Sequence, residues 1–472
     1  MPTATTIAAQ LESIGQSALA KYISGVSGDG ADLLFDELQK FNLDDLAQFI
    51  RTYGPNFQPT QPADSIAPAP YFALGDKSWD RTLYQKKGEE LIAAGKVACF
   101  TVAGGQGSRL GYDGPKGCYP TSCVTKKSLF EMFAQTIYAN ERKYDTIIPW
   151  YIMTSPLNHE QTVAFFHEHS HFGLNPDNIK FFEQGVMPSF DASTGDLLLS
   201  DPAHLATNPD GHGGAYKALN VSGALEDMIA RGIEHLSYFQ VDNPNAKIVD
   251  PVFLGLHAQS PESSGEFSSK MVAKANAHEK VGVFCRVGET LSVVEYSDLP
   301  QELAEMTNDD NELMFNAGSI AIHAISIAFI NKIATDPSYA LPFHRAVKKV
   351  AHFDPVTGQH VDPSEPNAIK LERFVFDAIA LADRSIVVET DRVEEFAPVK
   401  NATGADSIET SKQLQSQRAA GWLQAAGVEI PRNDDGNVDA TIELSPLTAL
   451  CPEDLIGKDL PSPIESGASI TL

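Results

Sequence analysis

Residues with the chemistry to bind phosphate are concentrated between positions 103 and 117. Gly104 and Gly105 lie at the start of this stretch, and Arg109 and Lys116 follow within it. Glycine has no Cβ, so the backbone N–H groups of a glycine-rich turn can approach an anion closely. Arginine and lysine add fixed positive charge beside such a turn. The combination predicts a binding site for a triphosphate.

The spacing of the glycines distinguishes between the known kinds of nucleotide loop. A dinucleotide-binding turn needs G-x-G-x-x-G, but Leu110 stands where the third glycine would follow Gly105 and Gly107. The P-loop string G-x-x-x-x-G-K-[ST] does not occur in this region. A turn that merely connects a strand to a helix is the remaining alternative, and the basic residues within the stretch disfavour it.

A buried strand must place this turn. Residues 97–102 (VACFTV) form an uninterrupted apolar run, which is typical of a strand buried on both faces. Similar runs recur along the chain, and stretches with helical spacing separate them. This alternation predicts an α/β fold with a doubly wound, mainly parallel, Rossmann-like sheet. The predicted strands are 147–154, 179–182, 235–241 and 386–389, the predicted helices include 128–140 and 159–169, and 281–287 with 291–297 form a predicted antiparallel hairpin.

Segments on either side of this α/β region have a different character. Residues 1–53 show helical periodicity, and Asn42 is a predicted N-cap. A proline-rich stretch at 54–62 predicts a linker or an extended arm, because a helix cannot continue through it. We therefore predict a helical N-terminal segment with a proline-rich arm (1–90), a central domain that holds the phosphate-binding turn (91–385) and a small C-terminal domain (386–472).

The composition disfavours several classes of protein. The 472 residues include 35 Lys and Arg against 62 Asp and Glu, so the formal net charge is −27 and repels nucleic acid and anionic lipid. No apolar stretch approaches the roughly 20 residues that span a bilayer, and the start of the chain lacks the pattern of a signal peptide. The five cysteines form no C-x-x-C pair, which disfavours a disulfide framework or a zinc ribbon. We expect a cytoplasmic protein that binds neither nucleic acid nor membrane.

The glycine-rich turn is one of a series of motifs that resemble one known family. The stretch 104–111 (GGQGSRLG) with Pro115-Lys116 is similar to the nucleotide-binding loop of the sugar-1-phosphate uridylyltransferases, above all the eukaryotic-type UDP-N-acetylhexosamine (UDP-N-acetylglucosamine) pyrophosphorylases of the UDP-sugar pyrophosphorylase family. Ser108 stands where that family usually has threonine, and it keeps the hydroxyl. Further motifs follow in the family's order over most of the chain: WYIMTS at 150–155, FFEQG at 181–185, PDGHGG at 209–214, VDN at 241–243, VEYS at 294–297, FNAG at 315–318, IKLERFVFD at 369–377, EFAPVKNA at 395–402 and ELSPL at 443–447.

This resemblance implies a fold of the nucleotidyltransferase type A kind and a specific reaction. Members of the family join UTP to a sugar 1-phosphate with Mg²⁺, giving a UDP-sugar and pyrophosphate. An oxygen of the sugar phosphate attacks the α-phosphorus in line, so the protein mainly positions anions and stabilises the charge that develops. The resemblance therefore implies UTP and N-acetylglucosamine 1-phosphate as substrates and Mg²⁺ as the cofactor.

The family's motifs also assign roles to individual residues. The resemblance implies that catalysis uses Arg109, Lys116 and Lys400. It implies that UTP is bound by Ala103, Gly104, Gly105, Lys116, Gln184, Gly211, Asp242 and Lys370. It implies that the sugar phosphate is bound by His212, Glu295, Tyr296, Asn316 and Lys400, and that Asp242 holds the metal ion.

Several of these residues have simpler interpretations when each is taken alone. Asp242 could belong to a turn, and Lys370 and Lys400 could be solvated lysines. Glu295-Tyr296 could be a cross-strand pair on the predicted hairpin. The ordered series of motifs favours the functional interpretation for all of them.

The sugar is the least determined part of this prediction. The N-acetylhexosamine enzymes usually carry Gly-Asn-Gly-Gly where this chain has Gly-His-Gly-Gly at 211–214, and Gly-His-Gly resembles the UDP-glucose and broad UDP-sugar pyrophosphorylases. His212 therefore leaves glucose or galactose 1-phosphate as the alternative to the N-acetylated sugar. A non-catalytic nucleotide-binding protein on the same fold is a second alternative, and the presence of Arg109, Lys116 and Asp242 argues against it.

A formal zinc motif lies at 167–171. His167, Glu168 and His171 match H-E-x-x-H, in which two histidines one helical turn apart bind zinc. The stretch closes a short predicted helix, and no third ligand is evident in the sequence. A solvated helix end is therefore the better interpretation.

Overall fold

Helices and strands alternate through most of the computed structural model, which describes residues 4–26, 29–58 and 65–472. The last residues of the predicted linker at 54–62 lie outside these ranges. The helices are α1 (Ala4–Ser13), α2 (Ser17–Gly25), α3 (Asp29–Gln39), α4 (Leu43–Tyr53), α5 (Arg81–Ala93), α6 (Leu129–Tyr144), α7 (His159–Glu168), α8 (Ala215–Val221), α9 (Ala224–Ala230), α10 (Pro251–Gln259), α11 (Gln301–Ala304), α12 (Ile327–Thr335), α13 (Arg392–Glu395) and α14 (Ile408–Ala425).

The strands divide between one large sheet and several small ones. They are β1 (Ile66–Pro68), β2 (Val97–Val102), β3 (Trp150–Thr154), β4 (Ile179–Glu183), β5 (Val186–Pro188), β6 (Phe190–Asp191), β7 (Leu199–Asp201), β8 (His204–Leu205), β9 (Thr207–Pro209), β10 (His235–Gln240), β11 (Phe267–Ala273), β12 (Val283–Val287), β13 (Thr290–Val294), β14 (Ala317–Ser326), β15 (His344–Lys348), β16 (His352–Asp354), β17 (Gln359–Val361), β18 (Ala368–Glu372), β19 (Ile386–Glu389), β20 (Thr441–Glu443) and β21 (Ser469–Thr471).

Contacts between residues divide the chain into two units. The first contains the described part of Met1–Pro62 together with Gly185–Gly214 and Leu341–Val375. The second contains the described part of Ala63–Gln184 together with Ala215–Ala340 and Phe376–Leu472. This division cuts across the three consecutive segments 1–90, 91–385 and 386–472 that the sequence predicts, because the N-terminal helices pack on strands from two later stretches of the chain.

The first unit joins helices α1–α4 to short antiparallel strands. Leu11, Leu34 and Leu38 are almost completely buried in one apolar cluster with residues of β7 and β18. The buried Gln16 side chain donates to the carbonyl of Gly195 at 3.0 Å and accepts from the backbone N–H of Leu197 at 2.7 Å. A polar side chain thus fixes the helices to the β6–β7 turn with both ends of its amide satisfied.

The second unit is a mixed α/β layer built on the large sheet. Strands β10, β2, β3 and β4 lie side by side and run parallel, as predicted for the centre of the sheet. Strand β14 pairs with β10 in the antiparallel direction, and β12 and β13 form the predicted antiparallel hairpin beside it. Strands β2, β3 and β10 are buried on both faces, so helices must cover the sheet on each side.

The strand and helix boundaries follow local chemistry. Strands β2 and β19 have the predicted bounds, whereas β3 begins at Trp150 rather than at residue 147. Pro149 precedes Trp150 and has no backbone N–H to donate to a neighbouring strand. Asn42 caps α4 as predicted, since its side chain accepts from the backbone N–H groups of Asp44 and Asp45 at 3.0 and 3.4 Å.

The C-terminal part of the second unit has a small core of its own around α14 and the β20–β21 pair. It is joined to the loop before α6 by the Glu443 carboxylate, which accepts from the backbone N–H groups of Val124 and Thr125 at 2.8 and 2.7 Å. All five cysteines lie in the described part of the chain as free thiols. Among the described residues, every helix is too short or too polar to cross a bilayer.

A buried histidine makes the second unit sensitive to acid. His257 on α10 is fully buried, its Nδ1 lies 2.8 Å from the Ser268 hydroxyl, and its ring is 5.1 Å from that of His235. Burial, with a smaller contribution from His235, lowers the pKa of His257 well below its usual value. In the unfolded chain this histidine binds a proton near pH 6.5, whereas the folded state keeps it neutral to a lower pH. The contribution of neutral His257 to the free energy of unfolding is therefore fully present above pH 6.5 and is lost as the pH falls below it.

We expect the melting temperature of the protein to fall between pH 7.5 and 5.5, and His257→Gln to reduce this fall. Glutamine can still form a hydrogen bond to Ser268, but it binds no proton. The exposed His278, replaced in the same way, is the matched control and should leave the pH dependence as it is. An identical loss of stability in the unaltered protein and His257→Gln would show that other groups titrate.

Candidate active site

Four loops meet at one edge of the large sheet because the strands that precede them run parallel. Strands β10, β2, β3 and β4 end at Gln240, Val102, Thr154 and Glu183. The carboxyl ends of parallel neighbours lie at the same edge. The chain continues from β2 to β3 and β4 on one side, while β10 lies on the other side of β2. Ligands of open α/β sheets bind at such a switch in strand order.

The glycine-rich turn follows β2 and is held by side chains from the β3 loop. The Asn158 side-chain amide donates to the carbonyls of Ala103 and Gly105 at 2.9 and 3.3 Å. The Ser155 hydroxyl donates to the carbonyl of Gly104 at 2.9 Å. Three successive carbonyls are thus tied in place, which fixes the backbone of the turn where positions 104 and 105 have no side chain. The sequence did not reveal the role of Asn158, because nothing local shows that it bonds residues more than fifty positions away.

The space around the turn explains why two glycines stand there. A Cβ on Gly104 would lie 2.4 Å from Oε1 of Gln184, so the buried Gln184 side chain can pack there only against glycine. A Cβ on Gly105 would meet no atom within 4 Å, so this side of the turn faces open space. The structure therefore brings together Gly104 and Gln184, two of the residues predicted to bind the nucleotide, and leaves room beside Gly105.

A lysine and an aspartate form an ion pair beside the turn. Nζ of Lys116 lies 3.4 Å from Oδ2 of Asp242, and the two side chains are only 10% and 16% exposed. The backbone N–H of Lys116 also donates to the carbonyl of Gly105 at 3.0 Å. Asp242 follows β10, next to β2 in the sheet, so the pair spans the switch in strand order.

The two other predicted catalytic cations lie on loops that touch this edge. Arg109 is exposed on a short turn, and its carbonyl accepts from the backbone N–H of Ala402 at 3.2 Å. The backbone N–H of Val399 donates to the carbonyl of Asp242, the predicted metal-binding residue, at 2.8 Å. Lys400 is the next residue after Val399, so its backbone also lies near Asp242. Nζ of Lys400 lies 3.2 Å from Oδ2 of Asp406.

Three predicted sugar-binding residues lie elsewhere on the second unit. Glu295 and Tyr296 follow strand β13, which ends at Val294, so they are not the cross-strand pair of the simpler interpretation. Asn316 precedes β14, and its side chain lies 3.5 Å from the Tyr71 hydroxyl. Only β14 separates strand β12 of this hairpin from β10.

The remaining predicted residues belong to the first unit. Gly211 has a φ of +83°, and a Cβ there would lie 2.3 Å from the carbonyl oxygen of Arg373. A Cβ on Gly213 would approach the same backbone to 2.7 Å, so both positions require glycine. Lys370 is half-buried on β18, where its backbone pairs with Ala346 of β15.

His212 is held as a neutral imidazole within the first unit. Its Nδ1 accepts from the backbone N–H of Val375 at 3.0 Å, and its ring stacks on Phe374 with 5.2 Å between centroids. Burial and the nearby His344 lower the pKa of His212 to about 4. At neutral pH the imidazole therefore carries its one proton on Nε2, because Nδ1 is the acceptor. A neutral imidazole thus stands where the family usually has the side-chain amide of asparagine.

The H-E-x-x-H stretch at 167–171 does not place its two histidines one turn apart on a helix, as zinc binding by this motif requires. Helix α7 ends at Glu168, and His171 follows with a φ of +53° in a separate turn. The two histidines are thus not presented by one helix. Within the described ranges, no group of three or more His, Cys, Asp or Glu side chains is placed to hold a metal ion.

Comparison with known proteins places this site in a family. Residues 64–418 match the family model described as UTP–glucose-1-phosphate uridylyltransferase, so the chain belongs to this family of uridylyltransferases.

Relatives within the family carry more specific names. A UDP-N-acetylglucosamine pyrophosphorylase of Saccharomyces cerevisiae is 39% identical over 77% of this chain and 77% of its own. UDP-N-acetylglucosamine diphosphorylase 2 of Arabidopsis thaliana is 34% identical over 96% of this chain and 92% of its own. The crystal structure of a uridine diphosphate N-acetylglucosamine pyrophosphorylase from Trypanosoma brucei, in complex with an inhibitor, superposes with a TM-score of 0.77 at 25% identity and covers 96% of this chain and 94% of its own.

The two glycines of the turn give a test of where the triphosphate binds. We expect Gly105→Ala to leave the folding stability within about 0.5 kcal/mol of the original, because its methyl group meets no protein atom. We expect the same substitution to weaken UTP binding about tenfold or more, because the methyl group fills space that the phosphates would use. Calorimetric titration with UTP and thermal melting measure the two quantities.

Gly104→Ala is the comparison, since its methyl group must displace Gln184 and should weaken UTP binding with some loss of stability. Unchanged UTP affinity in Gly105→Ala would place the triphosphate away from this turn.

Proposed function

We propose that this protein joins UTP and N-acetylglucosamine 1-phosphate to form UDP-N-acetylglucosamine and pyrophosphate. The observation that carries this proposal is the Lys116–Asp242 ion pair beside the glycine-rich turn, in a chain of the uridylyltransferase family. The names of the yeast and Arabidopsis relatives support the N-acetylated sugar.

The reaction exchanges one phosphoanhydride bond for another. An oxygen of the sugar phosphate forms a bond to the α-phosphorus of UTP, and the bond from that phosphorus to the bridging oxygen of pyrophosphate breaks. Pyrophosphate leaves with the electron pair. The backbone N–H groups of the glycine-rich turn, Arg109 and Lys116 are in our proposal the groups that hold the phosphates and stabilise the negative charge of the transition state.

The residues at the sheet edge fit a magnesium ion that is bound jointly with substrate. Mg²⁺ sites in nucleotide enzymes commonly use one or two carboxylates, with phosphate oxygens and water as the other ligands. Asp242 supplies one carboxylate next to the proposed phosphate site, and only one of its oxygens is paired with Lys116. We propose that Asp242 holds the ion, which when bound neutralises charge on the phosphates.

The base and the sugar are assigned to other residues. Gln184, packed against Gly104, presents a side-chain amide that suits the hydrogen-bonding edge of uracil. Lys400 is proposed to bind the sugar phosphate. We propose, as the sequence predicts, that the sugar hydroxyls are bound by His212, Glu295, Tyr296 and Asn316. UTP is proposed to be bound also by Gly211 and Lys370. A cytoplasmic location is also a proposal, which the five free thiols support.

A UDP-glucose or broad UDP-sugar pyrophosphorylase is the alternative that one observation favours. The neutral imidazole of His212 stands where the N-acetylhexosamine enzymes usually have an asparagine, and an imidazole does not reproduce the donor and acceptor of an amide. A non-catalytic nucleotide-binding protein is the less favoured alternative, because Arg109, Lys116 and Asp242 would have no chemical task in it.

Pyrophosphate release from UTP tests the function directly. We expect turnover with N-acetylglucosamine 1-phosphate to exceed that with glucose, galactose or N-acetylgalactosamine 1-phosphate, and chelation of Mg²⁺ to abolish it. Arg109→Ala should lower kcat by about 100-fold or more through loss of charge stabilisation. Arg142→Ala, which removes an exposed arginine from α6, is the matched control.

Each other outcome of this assay has a definite meaning. Binding of UTP without turnover of any sugar 1-phosphate would favour the non-catalytic alternative. Turnover that survives chelation of Mg²⁺ would contradict the role proposed for Asp242.

A single substitution tests the selection of the sugar. We expect His212→Asn to shift the ratio of kcat/KM toward N-acetylglucosamine 1-phosphate over glucose 1-phosphate. The Oδ1 of asparagine can still accept from the Val375 N–H, so the local fold should survive, while the substitution restores the amide that the N-acetylhexosamine enzymes usually carry. An unchanged ranking of the sugars would remove His212 from sugar selection.

A further inference from the structure

A buried asparagine ties the loop after β10 to the segment that carries Lys400. Asn243 is 4% exposed and directly follows Asp242. Its side-chain amide donates to the carbonyl of Glu395 at 2.7 Å, and its Oδ1 accepts from the backbone N–H of Ala397 at 3.0 Å. Both ends of one side chain are used on two peptide groups of the same short segment, so the segment is fixed in position and in direction.

A buried lysine fixes the same segment from the other side. Lys270 on β11 is 1% exposed, and its Nζ lies 2.7 Å from Asp250 and 2.5 Å from the carboxylate of Glu395. The Thr390 hydroxyl donates to Oε1 of Glu395 at 2.6 Å. A carboxylate removed from water in this way is stable only while its partners stay in place, so Glu395 can hardly move.

The consequence of this fixation appears five residues further on. From Ala397 the chain runs between two parts of the sheet edge: Val399 donates to the carbonyl of Asp242 at 2.8 Å, and Ala402 donates to that of Arg109 at 3.2 Å. Lys400 lies between these two contacts. Its position relative to Asp242 is thus determined by backbone bonds that begin at the Asn243 and Lys270 contacts.

We propose that Asn243 and Lys270 are positioning residues of the transfer reaction, which hold Lys400 in register with Asp242. The inference rests on the function proposed above. Neither side chain needs to touch a substrate, because each acts through the segment 395–400. A displacement of a reacting group by about 1 Å can cost about 100-fold in rate, so this fixation has catalytic weight.

Asn243→Ala is the first test, since it removes both hydrogen bonds without leaving a buried charge. We expect kcat to fall about 10- to 100-fold while UTP affinity, measured by calorimetry, changes little. Asn245→Ala is the matched control: this fully buried asparagine of the same loop donates to the carbonyl of Val393, ahead of the tied segment. Its melting temperature should fall comparably while kcat stays close to the original value.

Lys270→Met is the second variant and should reproduce the loss of kcat, with partial rescue by Lys270→Arg, which keeps the charge. Lys247→Met removes the other lysine that forms an ion pair with Asp250, at 3.5 Å, and keeps the Lys270–Glu395 pair, so it should not reduce kcat in this way. Should Lys270→Met fail to fold, Asn243→Ala decides the question by itself.

A double-mutant cycle with Lys400→Ala separates positioning from a general structural effect. If Asn243 acts through Lys400, Asn243→Ala should change kcat very little once Lys400 is absent, whereas independent effects would multiply. Multiplying effects, or a normal kcat in Asn243→Ala, would overturn the inference and leave the proposed function intact. Absence of turnover in the unaltered protein would overturn both.

Discussion

The parallel pairing of β10, β2, β3 and β4 is the constraint from which the candidate site follows. Parallel neighbours end at one edge, so the glycine-rich turn, the Asn158 loop, Gln184 and Asp242 come together although 138 positions separate Gly104 from Asp242 along the chain. No local preference of any of these residues would achieve this. The strands themselves are held by burial on both faces, so the apolar core and the polar site depend on the same pairing.

Charge is distributed in this protein in a way that suits anionic substrates. The chain carries a formal net charge of −27, yet Arg109, Lys116 and Lys400 lie on loops at the carboxyl edge of its central sheet. The two most buried of the lysines discussed above, Lys116 and Lys270, each face a carboxylate. A buried cation without a partner is strongly unfavourable, and removal of one partner typically costs about 3–5 kcal/mol. The Asp242 carboxylate thus allows the positive charge of Lys116 to be kept in place where phosphates are proposed to bind, inside a protein that would otherwise repel them.

The sequence predicted local structure well and long-range placement poorly. The apolar runs gave β2 and β19 with their bounds, and the hairpin and the cap at Asn42 follow from short patterns. The assembly of the first unit from three stretches was missed, since the contact of Gln16 with Gly195 joins residues 179 positions apart and has no periodic signal. The same is true of Asn158 and Asn243, whose side chains bond backbone groups of distant segments. Family motifs supplied candidate residues, but they carried no information on what holds those residues in place.

Lys270 and Lys400, which both contact the segment or loop next to Asp242, differ in burial, and this difference suits the different roles proposed for them. Lys270 is almost fully buried between two carboxylates, so separating the pairs would leave unpaired charges in the interior, which is strongly unfavourable. Lys400 and Asp406 are each about one-third exposed, at 31% and 35%, and such an exposed pair contributes only about 0–1 kcal/mol. A phosphate can therefore replace Asp406 as the ion-pair partner of Lys400 at a small cost in free energy. Replacing Glu395 as the partner of the buried Lys270 would cost far more, because it would leave a buried carboxylate unpaired. The segment 395–400 is thus fixed at one end by the buried Lys270–Glu395 pair and carries Lys400 at its other end. The backbone of Lys400 is held in place, while its exposed ammonium group could still bind the phosphate that we propose as its ligand.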